Sequence, residues 1–178
     1  FLDRFFINQY LSPLELGSYA GLHELLIRFF SLVLFPITMA LHPQIMTLWN
    51  ASKNADAISL LKIGVLSQLW IFIMIFIPIF IFNNTLFSLI QNSILEIPIQ
   101  FQHLIIPLFI TGFLWQFSFL THKILEIKER TFLMVIFILL SLIINIVGNT
   151  VFIPQYGVIA TAYTAMLSAL SYCTLTII

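Results

Sequence analysis

The sequence predicts an all-α, polytopic transmembrane helical bundle. Hydrophobic residues make up 61% of the chain and charged residues only 8%, whereas about a quarter of the residues are charged in an ordinary soluble domain. Four windows contain no Asp, Glu, Lys or Arg: 29–52, 63–95, 97–122 and 131–178. A helix needs roughly 20 apolar residues to cross the hydrocarbon core. Each of the first three windows can therefore hold one span, and the last can hold two.

Six membrane segments are predicted, the first of them truncated. Ser12-Pro13 ends the first segment, and a tight turn at 154–157 separates the last two. Prolines inside the segments are acceptable where neighbouring helices satisfy the freed backbone groups. The run 86–90 between the third and fourth segments is expected to lie at the outer interface as an amphipathic piece. The expected ranges are 1–11, 15–48, 57–83, 101–122, 131–153 and 157–178.

Composition also limits the function classes. Formal net charge is zero, which argues against a nucleic-acid partner. Cys173 is the single cysteine, so an internal disulfide is excluded. The sequence contains no metal-ligand spacing, nucleophile elbow or phosphate-binding loop, so we predict neither an enzyme nor a bound cofactor. The chain begins without Met and ends inside an apolar run, and we expect it to be a fragment of a longer polypeptide.

Basic residues predict the orientation in the membrane. The connections around 49–57 and 122–130 share one face, because successive connections alternate sides. All the basic residues near connections belong to that face, and the opposite connections have none. They are Lys53, Lys62, Lys123, Lys128 and Arg130. Cytoplasmic loops carry the excess of Lys and Arg, so 49–57 and 122–130 are expected to be cytoplasmic, with the group from Lys123 to Arg130 a solvated loop.

The second segment carries a polar stripe. Its members recur at alternating spacings of four and three, which places them on one helical face. They are Gly17, Gly21, Glu24, Arg28, Ser31, Phe35, Thr38 and His42. A charge at the bilayer centre costs about 2.5–3.5 kcal/mol even on the lenient insertion scale. We therefore expect this face to line a cavity, with Ser31 and His42 as candidate cavity residues beside the charged pair.

Glu24 and Arg28 stand four residues apart in the acid-first order that favours a helical ion pair. They form either a self-neutralising pair that lets the helix insert, or a site where Arg28 meets an anionic substrate and Glu24 takes a proton. Asp3 and Arg4 repeat the combination on the first segment, about 100° apart around the helix and so facing different places. An interfacial, snorkelling Arg4 is the alternative to a substrate-facing one.

Two other polar groups have structural interpretations. Ser141, Asn145 and Asn149 form a stripe at intervals of four on the fifth segment. Such stripes more often hydrogen-bond between helices than contact a ligand. The last segment is rich in Gly, Ala, Ser and Thr, which is typical of a helix that packs closely against its neighbours.

Two motifs near the ends of the chain resemble a known family. The first is Asp3-Arg4-Phe5-Phe6-Ile7 followed by Leu16-Gly17-Ser18-Tyr19-Ala20. The second is NTVFIPQYGVIATA, from Asn149 to Ala162. In residues, order and spacing they are similar to the C-terminal half of polysaccharide (O-antigen-type) flippases of the multidrug/oligosaccharidyl-lipid/polysaccharide exporter superfamily.

The resemblance implies one six-helix lobe of a two-lobe exporter fold, with the N-terminal lobe on a missing part of the same chain. It implies that the lobes rock around a central cavity and move a polyprenyl pyrophosphate-linked oligosaccharide from the cytoplasmic to the outer leaflet of a bacterial cytoplasmic membrane. Arg28 and Arg4 would meet the pyrophosphate or acidic sugars. Glu24 or Asp3 would bind a coupling ion, a proton or sodium. No catalytic residue is implied.

Three other functions remain open. A multidrug/cation antiporter would carry cavity carboxylates without arginines, whereas each intramembrane acid here has an arginine close by. A lipid II flippase of peptidoglycan synthesis belongs to the same superfamily and fits the same half-chain. A membrane glycosyltransferase or polymerase subunit would need catalytic groups on large outer loops, and the longest outer connection, 83–100, offers only Glu96.

The predicted orientation can be tested by cysteine labelling after Cys173 has been replaced. A membrane-impermeant thiol reagent added outside intact cells should label Asn92→Cys and Gln155→Cys. It should label Ser52→Cys and Glu129→Cys only after the cytoplasmic side is opened, because the basic connections stay inside. Labelling of Asn92→Cys and Glu129→Cys from the same side would contradict the six-segment topology.

Overall fold

The computed structural model describes residues 2–94 and 96–177. Within them the chain is helical, and five helical stretches are long and apolar enough to cross a membrane. The prediction of an all-α, membrane-embedded chain is confirmed. The helices are α1 (Leu2–Tyr10), α2 (Pro13–Asn50), α3 (Asn54–Ile81), α4 (Asn83–Ser93), α5 (Ile105–Thr121), α6 (Lys123–Ile127), α7 (Thr131–Tyr156) and α8 (Val158–Thr176), and a 3₁₀ helix, Ile99–Leu104, precedes α5.

The longest helix is α2, with 38 residues. It begins at a capping box, in which the Ser12 hydroxyl accepts from the Glu15 backbone N–H and the Glu15 carboxylate accepts from the Ser12 N–H. At 1.5 Å per residue α2 is about 57 Å long, nearly twice the hydrocarbon thickness of about 30 Å. It therefore extends beyond the apolar layer, and it continues through Pro36 and Pro43 without ending.

Three connections differ from the sequence-based expectation. The predicted turn at 154–157 is mostly helix, because α7 continues through Pro154 and the chain reverses at Gly157. Gly157 has φ +65° and ψ −152°, a region that glycine adopts because it lacks Cβ. The predicted single helix 101–122 is a 3₁₀ helix followed by α5. The connection between α3 and the 3₁₀ helix contains a full helix, α4. The predicted segment ends at Phe1 and Ile178 lie outside the described residues.

The core is built around α5. Of its apolar stretch 78% is buried, against 11% for α3 and 17% for α7, so α5 is the central helix and α3 and α7 present most of their surface outward. Aromatic rings join α5 to α2 and to α3. Measured between ring centroids, Phe30 of α2 lies 4.6 Å from Phe109 of α5, and Phe72 of α3 lies 4.1 Å from Phe113 of α5. Rings at these distances add to the packing.

Small residues allow the closest helix approaches. A Cβ added at Gly112 of α5 would lie 3.1 Å from the Leu26 carbonyl oxygen and 3.2 Å from the Phe30 ring of α2. A Cβ added at Gly148 of α7 would overlap the Thr164 methyl group of α8. Association of helices in lipid relies on this kind of backbone approach, because the surrounding tails are as apolar as the side chains.

The α2–α5 contact gives a prediction for stability. Gly112→Ala should lower the thermal stability of the purified protein, because the new methyl group meets α2 backbone atoms, and overpacking costs roughly 1–3 kcal/mol. Gly17→Ala is the matched control: a Cβ there meets open space, so the gain in helix propensity of about 1 kcal/mol is retained. Equal melting temperatures for the two variants would contradict the close contact.

Candidate functional site

A cavity of about 450 Å³ lies between five helices. Its wall combines the first turn of α1 and the N-terminal half of α2 with parts of α5, α7 and α8. It contains two carboxylates and a guanidinium beside aromatic, aliphatic and small polar side chains. The residues that line it are Asp3, Arg4, His23, Glu24, Ile27, Thr111, Trp115, Ile138, Ser141, Leu142, Asn145, Ala165, Ser168, Ala169 and Tyr172. A charged cavity at this position in an apolar bundle is a candidate functional site.

Asp3 is held by the asparagine stripe of α7. Its Oδ1 accepts hydrogen bonds from Asn145 Nδ2 at 2.9 Å and from Asn149 Nδ2 at 3.0 Å. Asn149 also donates to Asn145 Oδ1 at 3.1 Å and accepts from the Thr164 hydroxyl of α8 at 2.8 Å. The network connects α1, α7 and α8, and its Asn149 and Thr164 members are buried. The asparagine stripe therefore makes interhelical hydrogen bonds, and the carboxylate of Asp3 in the cavity wall accepts them.

Glu24 is shared between two arginines. Its Oε2 accepts from Arg4 Nη2 of α1 at 3.1 Å, and its Oε1 accepts from Arg28 Nε, one turn further along α2, at 2.9 Å. Arg4 and Glu24 line the cavity, whereas the Arg28 side chain is 78% exposed on the outer surface of α2. The carboxylate therefore stands between an arginine inside the bundle and one outside it. The ion pair between Glu24 and Arg28 that the sequence predicts is therefore part of a three-residue cluster that also includes Arg4.

The first turn of α1 directs its two charges to different neighbours. Asp3 bonds to α7 and Arg4 bonds to α2, as the angle between adjacent helical residues requires. Both side chains nevertheless line the same cavity, which corrects the expectation that they face different places. The reason is that α1 lies between α2 and α7. Asp3, Arg4, Glu24 and Arg28 together comprise two negative and two positive groups.

The rest of the predicted stripe on α2 lies outside this cavity. Thr38 is buried, and its hydroxyl accepts at 3.1 Å from Gln68 Nε2 of α3. Ser31 and His42 are half-buried and are absent from the described cavity wall. The stripe has two environments because α3 packs along the half of α2 that holds Thr38, whereas the cavity meets the half that holds Glu24.

Several cavity residues carry no strong sequence signal. His23 stacks on the buried ring of Tyr19 at 5.5 Å between centroids. The Tyr172 hydroxyl lies 3.2 Å from His122 Nδ1 at the end of α5. Trp115 is one of several aromatic residues in the apolar helix α5. For His23, its position next to Glu24 in the sequence was the available signal. Trp115 and Tyr172 reach the cavity only through the packing of α5 and α8, which the sequence pattern does not specify.

The group from Lys123 to Arg130 is not simply a solvated loop. It begins as the short helix α6, and Lys123 is only 6% exposed. Its ammonium group donates to Glu126 Oε2 at 2.5 Å, one helical turn away. The paired acid is what makes the burial of this lysine acceptable. Lys128, Glu129 and Arg130 are exposed, as expected.

The described residues contain no group of three or more His, Cys, Asp or Glu side chains that could hold a metal ion. No protein-family model, curated protein or solved structure matches the chain. The fold and the charged cavity define a membrane-embedded helical protein, and its function has to be argued from the site itself.

The asparagine network gives a second prediction for stability. Asn149→Ala removes one donor to Asp3 and the acceptor of the Thr164 hydroxyl, so buried polar groups lose partners at roughly 1–3 kcal/mol each. The melting temperature of the purified variant should fall clearly. Thr150→Ala is the control, because the exposed Thr150 hydroxyl bonds only within its own helix, to the Ile146 carbonyl. A melting temperature unchanged by Asn149→Ala would contradict the network.

Proposed function

We propose that the chain is a helical lobe of a transporter that flips a polyprenyl pyrophosphate-linked oligosaccharide by alternating access. The cargo moves from the cytoplasmic to the outer leaflet of a bacterial cytoplasmic membrane. The resemblance of the two motifs to polysaccharide flippases supports this assignment. In the proposed assembly this six-helix lobe faces a second one across a central cavity, and the connections 49–57 and 122–130 are cytoplasmic. The protein performs no covalent chemistry.

The observation that carries the proposal is the position of Arg28. Its Nε is bound by Glu24, and its side chain is largely exposed on α2. A guanidinium is planar and presents several donors in a fixed fork, which suits bidentate binding of phosphate oxygens. A charged group of this kind on an apolar helix is a functional residue by default. Arg28 thus supplies the contact to the pyrophosphate or to an acidic sugar.

Asp3 is the better candidate for a coupling proton or sodium ion. Its Oδ1 has two amide donors, whereas Glu24 is neutralised by two arginines. A carboxylate that faces neutral amides gains more from a bound cation than one already paired with two cations. Uptake of a proton or sodium ion at Asp3 would alter the bonds that join α1 to α7. This assigns the ion to Asp3 and the cargo to Arg28.

Alternative functions differ in what the charges do. In a multidrug/cation antiporter, Asp3 and Glu24 would bind the cargo, and the two arginines on Glu24 argue against this. A lipid II flippase would use the same groups on a related lipid pyrophosphate. A glycosyltransferase or polymerase subunit would need an acid or base at a water-exposed outer site. The connection 83–100 offers Glu96 as its charged residue.

The test is complementation of surface polysaccharide in a flippase-deficient strain, with protein amounts measured by immunoblot. Arg28→Met should abolish transport, and Arg28→Lys should restore only part of it, because a point charge lacks the planar fork. Lys62→Met, which removes an exposed cation from the first half of α3, is the control and should remain active. Full activity of Arg28→Met at normal protein level would refute the role of Arg28.

A double replacement Glu24→Gln, Arg28→Met examines whether the pair is merely structural. If Arg28 only balanced Glu24, the double variant would regain activity. Because Glu24 also binds Arg4, the triple variant that adds Arg4→Gln is the matched neutral combination. Both are expected to be inactive if Arg28 binds the cargo. Activity of the triple variant with a neutral cluster would return all three residues to a structural role.

A further inference from the structure

The shared carboxylate of Glu24 connects two regions that the backbone keeps apart. Arg4 belongs to α1 and lines the inner cavity, whereas Arg28 lies on the exposed surface of α2. Each arginine binds a different oxygen of the same carboxylate, at 3.1 and 2.9 Å. A change in the interaction of one arginine with Glu24 therefore changes how strongly the carboxylate interacts with the other arginine.

We infer that Glu24 is a relay that sets the anion affinity of Arg28 according to the state of Arg4. When Arg4 holds Glu24, part of the negative charge is neutralised, and Arg28 is available to a pyrophosphate. When Arg4 moves away with α1, Glu24 interacts with Arg28 alone and competes with the anion. This inference rests on the proposed function, because it takes a lipid pyrophosphate as the ligand of Arg28.

The relay has a defined route to the inner site. Asp3 and Arg4 are adjacent on α1, and Asp3 is bonded to Asn145 and Asn149 of α7. Ile7 is the buried residue in the described part of α1, and the polar bonds of Asp3 and Arg4 attach this helix to α7 and α2. A change at Asp3 can shift α1 and with it Arg4. Coupling of this kind is reciprocal: an anion on Arg28 must favour the Arg4–Glu24 bond to the same extent.

The relay predicts opposite signs for two neutralising substitutions. Glu24→Gln removes the competitor of the anion and should raise the affinity of Arg28. Arg4→Gln leaves Arg28 as the sole arginine bound to Glu24 and should lower the affinity of Arg28 for the anion. A typical coupling between sites corresponds to about fivefold or more in affinity. The Arg4→Gln, Glu24→Gln double variant should match Glu24→Gln, because Arg4 acts through the carboxylate. Simple Coulomb attraction by Arg4 would instead weaken binding equally in both backgrounds.

The experiment measures farnesyl pyrophosphate binding to the purified protein in lipid nanodiscs, by titration calorimetry, with farnesol as the uncharged control. Wild type, the two single variants, the double variant and Arg28→Gln are compared. Glu15→Gln in the first turn of α2 and Lys62→Gln on α3 make the same changes in net charge outside the cluster. Neither should change the affinity. Thermal denaturation of each sample establishes that the variants are folded.

The outcomes separate the relay from the function on which it rests. If wild type does not bind farnesyl pyrophosphate, or Arg28→Gln binds it equally well, the proposed cargo site is wrong. If binding requires Arg28 but Glu24→Gln does not tighten it, or Arg4→Gln weakens it equally in both backgrounds, the relay is wrong and the cargo site stands. Should Glu24→Gln fail to fold, Glu24→Asp replaces it: the shorter carboxylate bridges both arginines poorly, so tighter binding is expected, and unchanged binding overturns the relay.

Discussion

The cost of leaving a charge unpaired in hydrocarbon controls the arrangement around the cavity. Asp3, Arg4 and Glu24 line the cavity and Arg28 lies outside it. Asp3 is bonded to α7, and Arg4 and Arg28 are both bonded to Glu24. These bonds attach α1 to α2 and to α7. The position of α1 in turn forms one wall of the cavity. The site and the packing of the bundle are thus consequences of the same electrostatic requirement.

The helices themselves were predictable because their signals are local. Charge-free windows define the long spans, Ser12-Pro13 separates α1 from α2, and the glycine at 157 ends α7. The turn at 154–157 was misplaced because proline was taken as the end of a helix. Pro154 instead lies in the last turn of α7, which continues for two more residues although the missing N–H removes one backbone bond.

The neighbours of a helical face were harder to predict than the face itself. Periodicity put Thr38 with Glu24, but α2 is 38 residues long and meets the cavity with one half and α3 with the other. The Asn145 and Asn149 stripe predicted interhelical bonding, yet its acceptor is Asp3, far away in the chain. A pattern identifies which residues share a face, whereas only the tertiary arrangement decides what covers that face.

In the proposed transporter, the pairing of Arg28 with Glu24 has a consequence for the release of the cargo. An arginine alone in an apolar environment would hold a pyrophosphate too strongly to let it leave, because the alternative is an unpaired charge in lipid. With Glu24 one turn away, the guanidinium exchanges one anion for another, and the free energy of binding is the difference between two ion pairs. A small change in the share of Glu24 taken by Arg4 then shifts this difference in either direction. A neutral cluster at rest is therefore compatible with both loading and release, which a single strong cation would not allow.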